Sequence, residues 1–194
     1  MAGMAEVQVN GQTINTIKIN RPKYSDLEPY FMKVVKLKAC EVFKLIHKEL
    51  AARCKGERES EGCHQVDYSN ACATRMSYTF NKSNFKLKLP KDFQDEKTGE
   101  PYVLSVNKMT QVLEKAFGNS DITFDGNPNN FKSEINGKKG ILIFKVSGWG
   151  DANGHITLWD GTICPNGNLD YNHCYFEHHQ NGVKTTDIIF WELK

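Results

Sequence analysis

Two residues far apart in this chain have types suited to covalent chemistry on a carbonyl: a cysteine at position 72 and a histidine at position 155. Cys72 lies in Asn70-Ala71-Cys72-Ala73-Thr74-Arg75-Met76-Ser77, which reads as the opening of a helix. Asn70 is a good N-cap there, and Ala73, Met76 and Phe80 fall on one inner face. The thiolate is the reactive form of cysteine, and the positive end of a helix favours negative charge, so this placement is expected to lower the thiol pKa. The same backbone N–H groups are suited to an oxyanion developing on a substrate carbonyl. The plainer reading is packing, because cysteine is among the most buried residue types. Cys72 alone favours the plainer reading.

His155 changes that balance. It opens an apolar run, His155-Ile156-Thr157-Leu158-Trp159, directly after the glycine-rich Gly148-Trp149-Gly150-Asp151-Ala152-Asn153-Gly154. A base that must meet a helix-borne thiol is well held at the start of a strand, and Gly154 beside it lets a substrate backbone come close. An upstream cysteine at a helix start followed by a downstream histidine at a strand start is the order of papain-type sites. Arg75, one turn into the cysteine helix, is a candidate for a substrate carboxylate and equally for a structural acid. Asp160 follows the histidine strand and precedes Gly161, a turn position with a ready structural explanation.

The elements that must position these residues follow from periodicity. Ser25-Asp26-Leu27-Glu28 has capping-box spacing, disturbed by Pro29. Val35, Ala39, Val42, Ile46 and Leu50 recur at helical spacing and predict one long amphipathic helix from Lys33 to Arg53, with Cys40 off the stripe and Cys54 at its end. A polar loop covers Lys55 to His64. Phe85-Lys86-Leu87-Lys88-Leu89 alternates like a half-exposed strand stopped by Pro90. Met109, Val112, Leu113 and Ala116 predict a further helix closed by Gly118. Strands are expected at Ile141-Leu142-Ile143-Phe144, at 155–159, at Cys174-Tyr175-Phe176 and at Ile188-Ile189-Phe190-Trp191, with Gly and Asn between them. Helices followed by antiparallel strands make an α+β arrangement.

Composition narrows the function classes. The chain has 194 residues and a net charge of +2, enough for one domain with a real core and too little field for nucleic acid. No run has the apolar length of a membrane span. The first twelve residues lack the charged start and apolar stretch of a secretory signal, so a Sec route is not expected. Six cysteines, at 40, 54, 63, 72, 164 and 174, include no C-x-x-C pair, which disfavours structural zinc and thioredoxin-like chemistry. Cys63-His64 and His173-Cys174 are adjacent, and neighbours on a strand point to opposite faces, a poor arrangement for one metal. Neither a metal nor a cofactor is expected. Lys82, Lys86, Lys88 and Lys91 read as a solvated face, and His178-His179 as surface.

Together, Asn70-Ala-Cys-Ala-Thr-Arg-Met-Ser77 and Gly154-His-Ile-Thr-Leu-Trp-Asp-Gly161 resemble the type VI secretion amidase effectors, specifically the fourth family. Gly148-Trp149, Cys174-Tyr175-Phe176, Glu41-Val42-Phe43-Lys44 and the segment from Arg21-Pro22 to Ser25-Asp26 fit the same pattern. The resemblance runs from about Arg21 onward. It therefore implies an extension at 1–20 and a single domain at 21–194 with a papain-like, NlpC-type α+β fold.

The resemblance further implies a Cys-His-Asp triad that hydrolyses the bond between D-glutamate and meso-diaminopimelate in peptidoglycan stem peptides. It implies an antibacterial toxin, made in the cytoplasm, delivered by type VI secretion into a rival's periplasm and neutralised in kin by an immunity protein. For the acidic member Asp170 is the best candidate. Asn172, closer to Cys174, is the alternative, orienting the ring as asparagine does in papain-like proteases. Trp149, Gly154 and Arg75 are the candidate substrate contacts. The resemblance also implies a disulfide between Cys164 and Cys174, a loop closure worth on the order of 2–3 kcal/mol in the chain-entropy model; a Cys54–Cys63 pair is a weaker expectation. The competing readings are a papain-like peptidase acting on other substrates and a non-catalytic wall-binding module, which would tolerate loss of Cys72.

Overall fold

A computed structural model of the protein describes residues 3–9, 12–54, 70–124, 126–150, 152–162, 175–176 and 182–194. The chain opens with an antiparallel hairpin, β1 (Gly3–Val9) and β2 (Gln12–Ile19), across the stretch expected to be an extension. Three helices follow: α1 (Tyr24–Val34), α2 (Ala39–Ile46) and α3 (Lys48–Cys54). The cysteine helix, α4, spans Cys72–Lys82. A small ladder pairs β3 (Phe93–Gln94) with β4 (Pro101–Tyr102), and α5 (Val106–Phe117) follows it. After β5 (Ile122–Thr123) and α6 (Pro128–Ile135) come the long strands β6 (Gly140–Ser147), β7 (Gly154–Trp159) and β8 (Lys184–Glu192). These form a four-stranded sheet in the order β5-β8-β6-β7, antiparallel throughout.

The sheet is apolar on both faces because alternate residues of its central strand are buried in different company. Ile141 and Ile143 of β6 join Ile156, Leu158, Ile189 and Trp191 against α1, α4 and α5, where Leu27, Phe31, Met76, Phe80, Met109 and Leu113 complete the packing. Leu142, Phe144 and Val146 join Trp159, Ile188 and Phe190 against Phe131 and Ile135 of α6 and against Phe176. A third cluster, built on Val42, Phe43, Ile46 and Leu50, lies under α2 and α3. Gly140 is required by the pairing itself: a Cβ there would stand 2.1 Å from the Trp191 carbonyl oxygen.

The α+β class is the expected one, and so are the helix over 106–117 closed by Gly118 at φ 73° and the strands at 141–144, 155–159 and 188–191. Five local expectations are corrected. The helix expected from Lys33 to Arg53 is three helices, although Val35, Ala39, Val42, Ile46 and Leu50 are all buried as the stripe requires. The chain restarts at Ala39 because the Glu41 carboxylate accepts the Lys38 N–H at 2.7 Å, an acidic side chain closing back on the cap. Pro29 does not end α1: it sits inside the helix on the exposed side, where water can take the carbonyl its ring leaves unbonded. The cysteine helix is capped at Ala71, not Asn70, with Ala73, Met76 and Phe80 fully buried as expected.

The other two corrections concern strands. Residues 85–90 are extended and alternate in exposure, yet they belong to no ladder; the Leu89 N–H bonds back to the Leu87 carbonyl, and the Lys86 ammonium to the Asn81 carbonyl. Tyr175 and Phe176 are not in a strand either; they fill the aromatic cluster on the α6 face of the sheet. Cys40 is disulfide-bonded, which nothing in its spacing announced. Cys63, Cys164 and Cys174, and the side chain of Cys54, lie outside the described residues, as do Asp151, Asp170, Asn172 and His178-His179.

Candidate active site

Cys72 is the first residue of α4, and what holds that helix end in place is a set of polar bonds buried beneath it. The Ser77 hydroxyl donates to the Ala73 carbonyl at 2.9 Å and accepts the Val103 N–H at 3.0 Å, while the Asn81 amide donates to the Pro101 carbonyl at 2.8 Å. These bonds pin the buried face of α4 to the segment 101–103, so the helix can neither slide nor rotate without breaking them. Arg75 pins the other side. Its Nε donates to the Val34 carbonyl at 3.1 Å and its Nη2 to the Leu37 carbonyl at 2.7 Å, at the end of α1.

His155 is the second residue of β7, paired with Phe144 of β6. Two close approaches set the loop before it. A Cβ at Gly154 would stand 2.3 Å from the Phe144 carbonyl oxygen, and one at Gly148, at φ 92°, would stand 2.4 Å from the Gly182 carbonyl oxygen. Gly154 is buried, so its lack of a side chain serves contact between strands.

β7 is an edge strand of the sheet, which leaves half its N–H groups without a neighbouring strand. The N–H of Ile156 is directed at the sulfur of Cys72. The nucleophile candidate thus lies against β7 at the residue that directly follows His155. Tyr175 joins the two from a third direction. Its ring centroid is 5.2 Å from that of His155, and its hydroxyl interacts electrostatically with both Cys72 and Arg75. Trp149 packs edge-on against Tyr175 with centroids 5.1 Å apart. Cys72, Arg75, His155, Tyr175 and Trp149 therefore form one cluster drawn from α4, β7 and two loops.

The electrostatics depart from the expectation for a thiol at a helix N-terminus. Burial pushes the Cys72 thiol up from its ordinary value; the Ile156 N–H, the Arg75 charge and the N–H groups of Ala73 and Cys72 pull it down, in that order, and burial wins. Only 6% of Cys72 is exposed, and in so dry a place desolvation of a thiolate outweighs one turn of helix. Tyr175 is pushed up as well, first by burial and then by Cys72, so its phenol stays protonated and able to donate. His155 is only 9% exposed and its Nε2 is shut off from solvent. A thiol raised by burial needs a base beside it, and this cluster supplies an imidazole on the adjoining strand.

Comparison with known proteins identifies the family. Residues 68–191 match the family model described as type VI secretion system (T6SS), amidase effector protein 4. The matched span holds more than half of the chain, with both Cys72 and His155 inside it. The chain belongs to this family.

The amidase effector is also similar to solved structures along almost its whole length. Tae4 from Enterobacter cloacae is 28% identical, with 92% of this chain and 100% of that one covered and a TM-score of 0.67. The Tae4–Tai4 effector–immunity complex from the same organism matches at 27% identity, 90% and 100% coverage and a TM-score of 0.67. Tae4 from Salmonella typhimurium, solved with the immunity protein Tai4 of Enterobacter cloacae, matches at 27%, 90% and 100%, and a TM-score of 0.68. A search of curated protein sequences finds no match.

Of the site residues expected from sequence, the effector brings Cys72, His155, Gly154, Arg75 and Trp149 into one region. Asp160 is in a turn, where its carboxylate accepts the Thr162 N–H at 2.8 Å. Among the described residues no group of His, Cys, Asp and Glu is arranged to hold a metal ion. Two contributors went unread in the sequence. The Ile156 N–H was invisible because a backbone donor becomes available only on an edge strand. Tyr175 was noted as part of an aromatic run, with no sign that its ring meets His155.

Proposed function

We propose that this amidase effector is a cysteine endopeptidase of peptidoglycan that cuts stem peptides between D-glutamate and meso-diaminopimelate. Cys72 is the nucleophile, His155 the base, and Asp170 the residue that orients the imidazole, with Asn172 as the alternative. The observation that carries the reading is the meeting of the Cys72 sulfur with the N–H of Ile156, which sets the α4 terminus against the strand that bears His155.

In the first half-reaction His155 takes the thiol proton and the sulfur attacks the γ-carbonyl carbon of D-glutamate. The carbonyl oxygen becomes an oxyanion, for which the N–H groups of the first turn of α4 are suited donors. The protonated imidazole then gives its proton to the diaminopimelate nitrogen. The C–N bond breaks, and a thioester joins D-glutamate to Cys72. In the second half-reaction water loses a proton to His155 and attacks the thioester carbonyl. The C–S bond breaks, the product leaves as a γ-carboxylate, and the thiol regains its proton. Trp149 and Tyr175 wall the approach to the sulfur on the histidine side.

Delivery by type VI secretion brings the enzyme to the periplasm of a rival bacterium, where its substrate lies. A cognate immunity protein of the Tai4 kind, the partner found with the Tae4 relatives, protects the producing cell. The test is digestion of purified muropeptides by native and Cys72→Ala protein, followed by mass analysis. Disaccharide retaining L-alanine and D-glutamate, together with peptides beginning at diaminopimelate, is expected from the native protein alone. Fragments cut between sugar and L-alanine, or cleavage by the Cys72→Ala protein, would overturn the assignment.

A further inference from the structure

Arg75 is a half-buried cation in unusual company. Among the described residues no carboxylate faces its guanidinium; the ionisable groups that do are the Cys72 thiol and the Tyr175 phenol. Burial acts against its charge, with Cys72 and then Tyr175 acting in favour. Taking a guanidinium out of water is costly unless its donors are bonded and its charge is answered. Two donors are answered by the Val34 and Leu37 carbonyls, at 3.1 and 2.7 Å. Those bonds also aim it. Arg75 stands three residues after Cys72, so the two side chains lie on one face of α4 a single turn apart.

We propose that Arg75 is a positioning residue whose fixed charge favours the thiolate of Cys72 as its proton leaves, and that the α1–α2 turn is the bracket that holds that charge in place. The inference rests on Cys72 being the nucleophile. No flexible surface arginine would serve, because a charge that swings into solvent is screened. The groups around the sulfur bear this out. From β7 the Ile156 N–H is directed at it; from the loop, Tyr175 acts on it, its phenol held neutral by burial; and it shares its buried cluster with the apolar Leu27 and Phe31 of α1 and with Val35 just beyond, the Tyr24 hydroxyl being turned toward Glu28 and Asp160. Of the described groups it meets, Arg75 is the permanent cation.

The experiment measures how fast iodoacetamide alkylates Cys72 as pH is raised, read by mass spectrometry of the Cys72 peptide, in native, Arg75→Gln and Arg75→Lys proteins. Glutamine keeps an amide donor for the turn carbonyls and removes the charge; lysine keeps the charge. In Arg75→Gln the rate near neutral pH should fall about tenfold, with the native rate recovered at high pH where every thiol is ionised. Arg75→Lys should keep most of the native rate. A folded Arg75→Gln protein with the native profile overturns the proposal. Equal losses in both variants also overturn it, since they assign Arg75 a purely structural role in bonding the turn. Should Arg75→Gln not fold, Arg75→Met makes the same comparison. Alkylation reports ionisation whether or not substrate is cut, so muropeptide digestion by the Cys72→Ala protein tests the nucleophile assignment separately.

Discussion

Replacing Gly154 by alanine should damage stability and catalysis together, by amounts set by one contact. Gly154 pairs with Lys145 at the start of β7, and a methyl group built on it would stand 2.3 Å from the Phe144 carbonyl oxygen. Ordinary contact begins at 3.4 Å. The obstacle is backbone in the central β6 strand and cannot rotate aside, so β7 must move out, by about 1 Å at this point. Overpacking of this kind costs about 1–3 kcal/mol, or roughly 2–12 °C in melting temperature for a domain of this size. The displaced residue adjoins His155, the proposed base, and misplacing such a group by about 1 Å costs on the order of 100-fold in turnover. Thermal melting and muropeptide release measured on Gly154→Ala read the two effects. Gly150→Ala is the control from the same loop, because nothing lies within 4 Å of a Cβ there. A Gly154→Ala protein that melts and cuts like the native one refutes the packing argument. One that is destabilised yet fully active detaches the β6–β7 spacing from the placement of His155.

Three further outcomes follow from the site and its surroundings. Asp170→Ala should lower turnover by orders of magnitude with little change in binding, whereas Asn172→Ala should not; the reverse ranking transfers the orienting role to Asn172, and two mild effects dismiss both. With Cys40 bridged, the denatured, unreduced chain should titrate at most four of its six thiols; six would exclude the bridge. Since Cys72 is free, Cys40 must take one of the other four cysteines, so Cys54–Cys63 and Cys164–Cys174 cannot both form in one chain. Burial holds the Tyr24 and Tyr102 hydroxyls well above their ordinary value of 10.0, so their contribution to stability is complete below that pH. It is lost above that pH, where the unfolded chain releases protons the folded chain keeps. Tyr102→Phe should therefore lose less stability than the native protein when urea midpoints are compared at about pH 8 and about pH 11.

The elements that carry the proposed catalytic pair were legible because each has a strong local signal. Ala73, Met76 and Phe80 mark the inner face of the cysteine helix, and 155–159 is apolar enough to be a strand whatever lies beside it. What periodicity conveys is which residues are inside. It does not show where backbone continuity breaks. The stripe from Val35 to Leu50 is buried at every position, and the breaks at 35–38 and His47 leave no mark on it. The one local signal was Glu41, an acid three residues after Lys38 whose carboxylate starts α2. Alternation misleads in the same way at 85–89, where it correctly gives exposure but cannot tell a paired strand from an extended segment.

The reactivity of the thiol was the least legible property, because it is a balance between distant residues. A cysteine at a helix start suggests a lowered pKa, and the helix N–H groups do pull in that direction. Burial by α1, β7 and the Tyr175 loop pushes harder, and those elements meet only in the folded chain. The break in the helical stripe and the state of the thiol are in this way connected. A continuous helix through 33–53 would bond the Val34 carbonyl to the N–H four residues on and the Leu37 carbonyl likewise. Arg75 would then compete with backbone N–H groups for both acceptors, and its charge would be held less firmly beside the sulfur. The interruption at 35–38, which looks like an imperfection in the pattern, turns toward the cation the Leu37 carbonyl and the Val34 carbonyl, the latter shared with the Leu37 N–H at 3.2 Å.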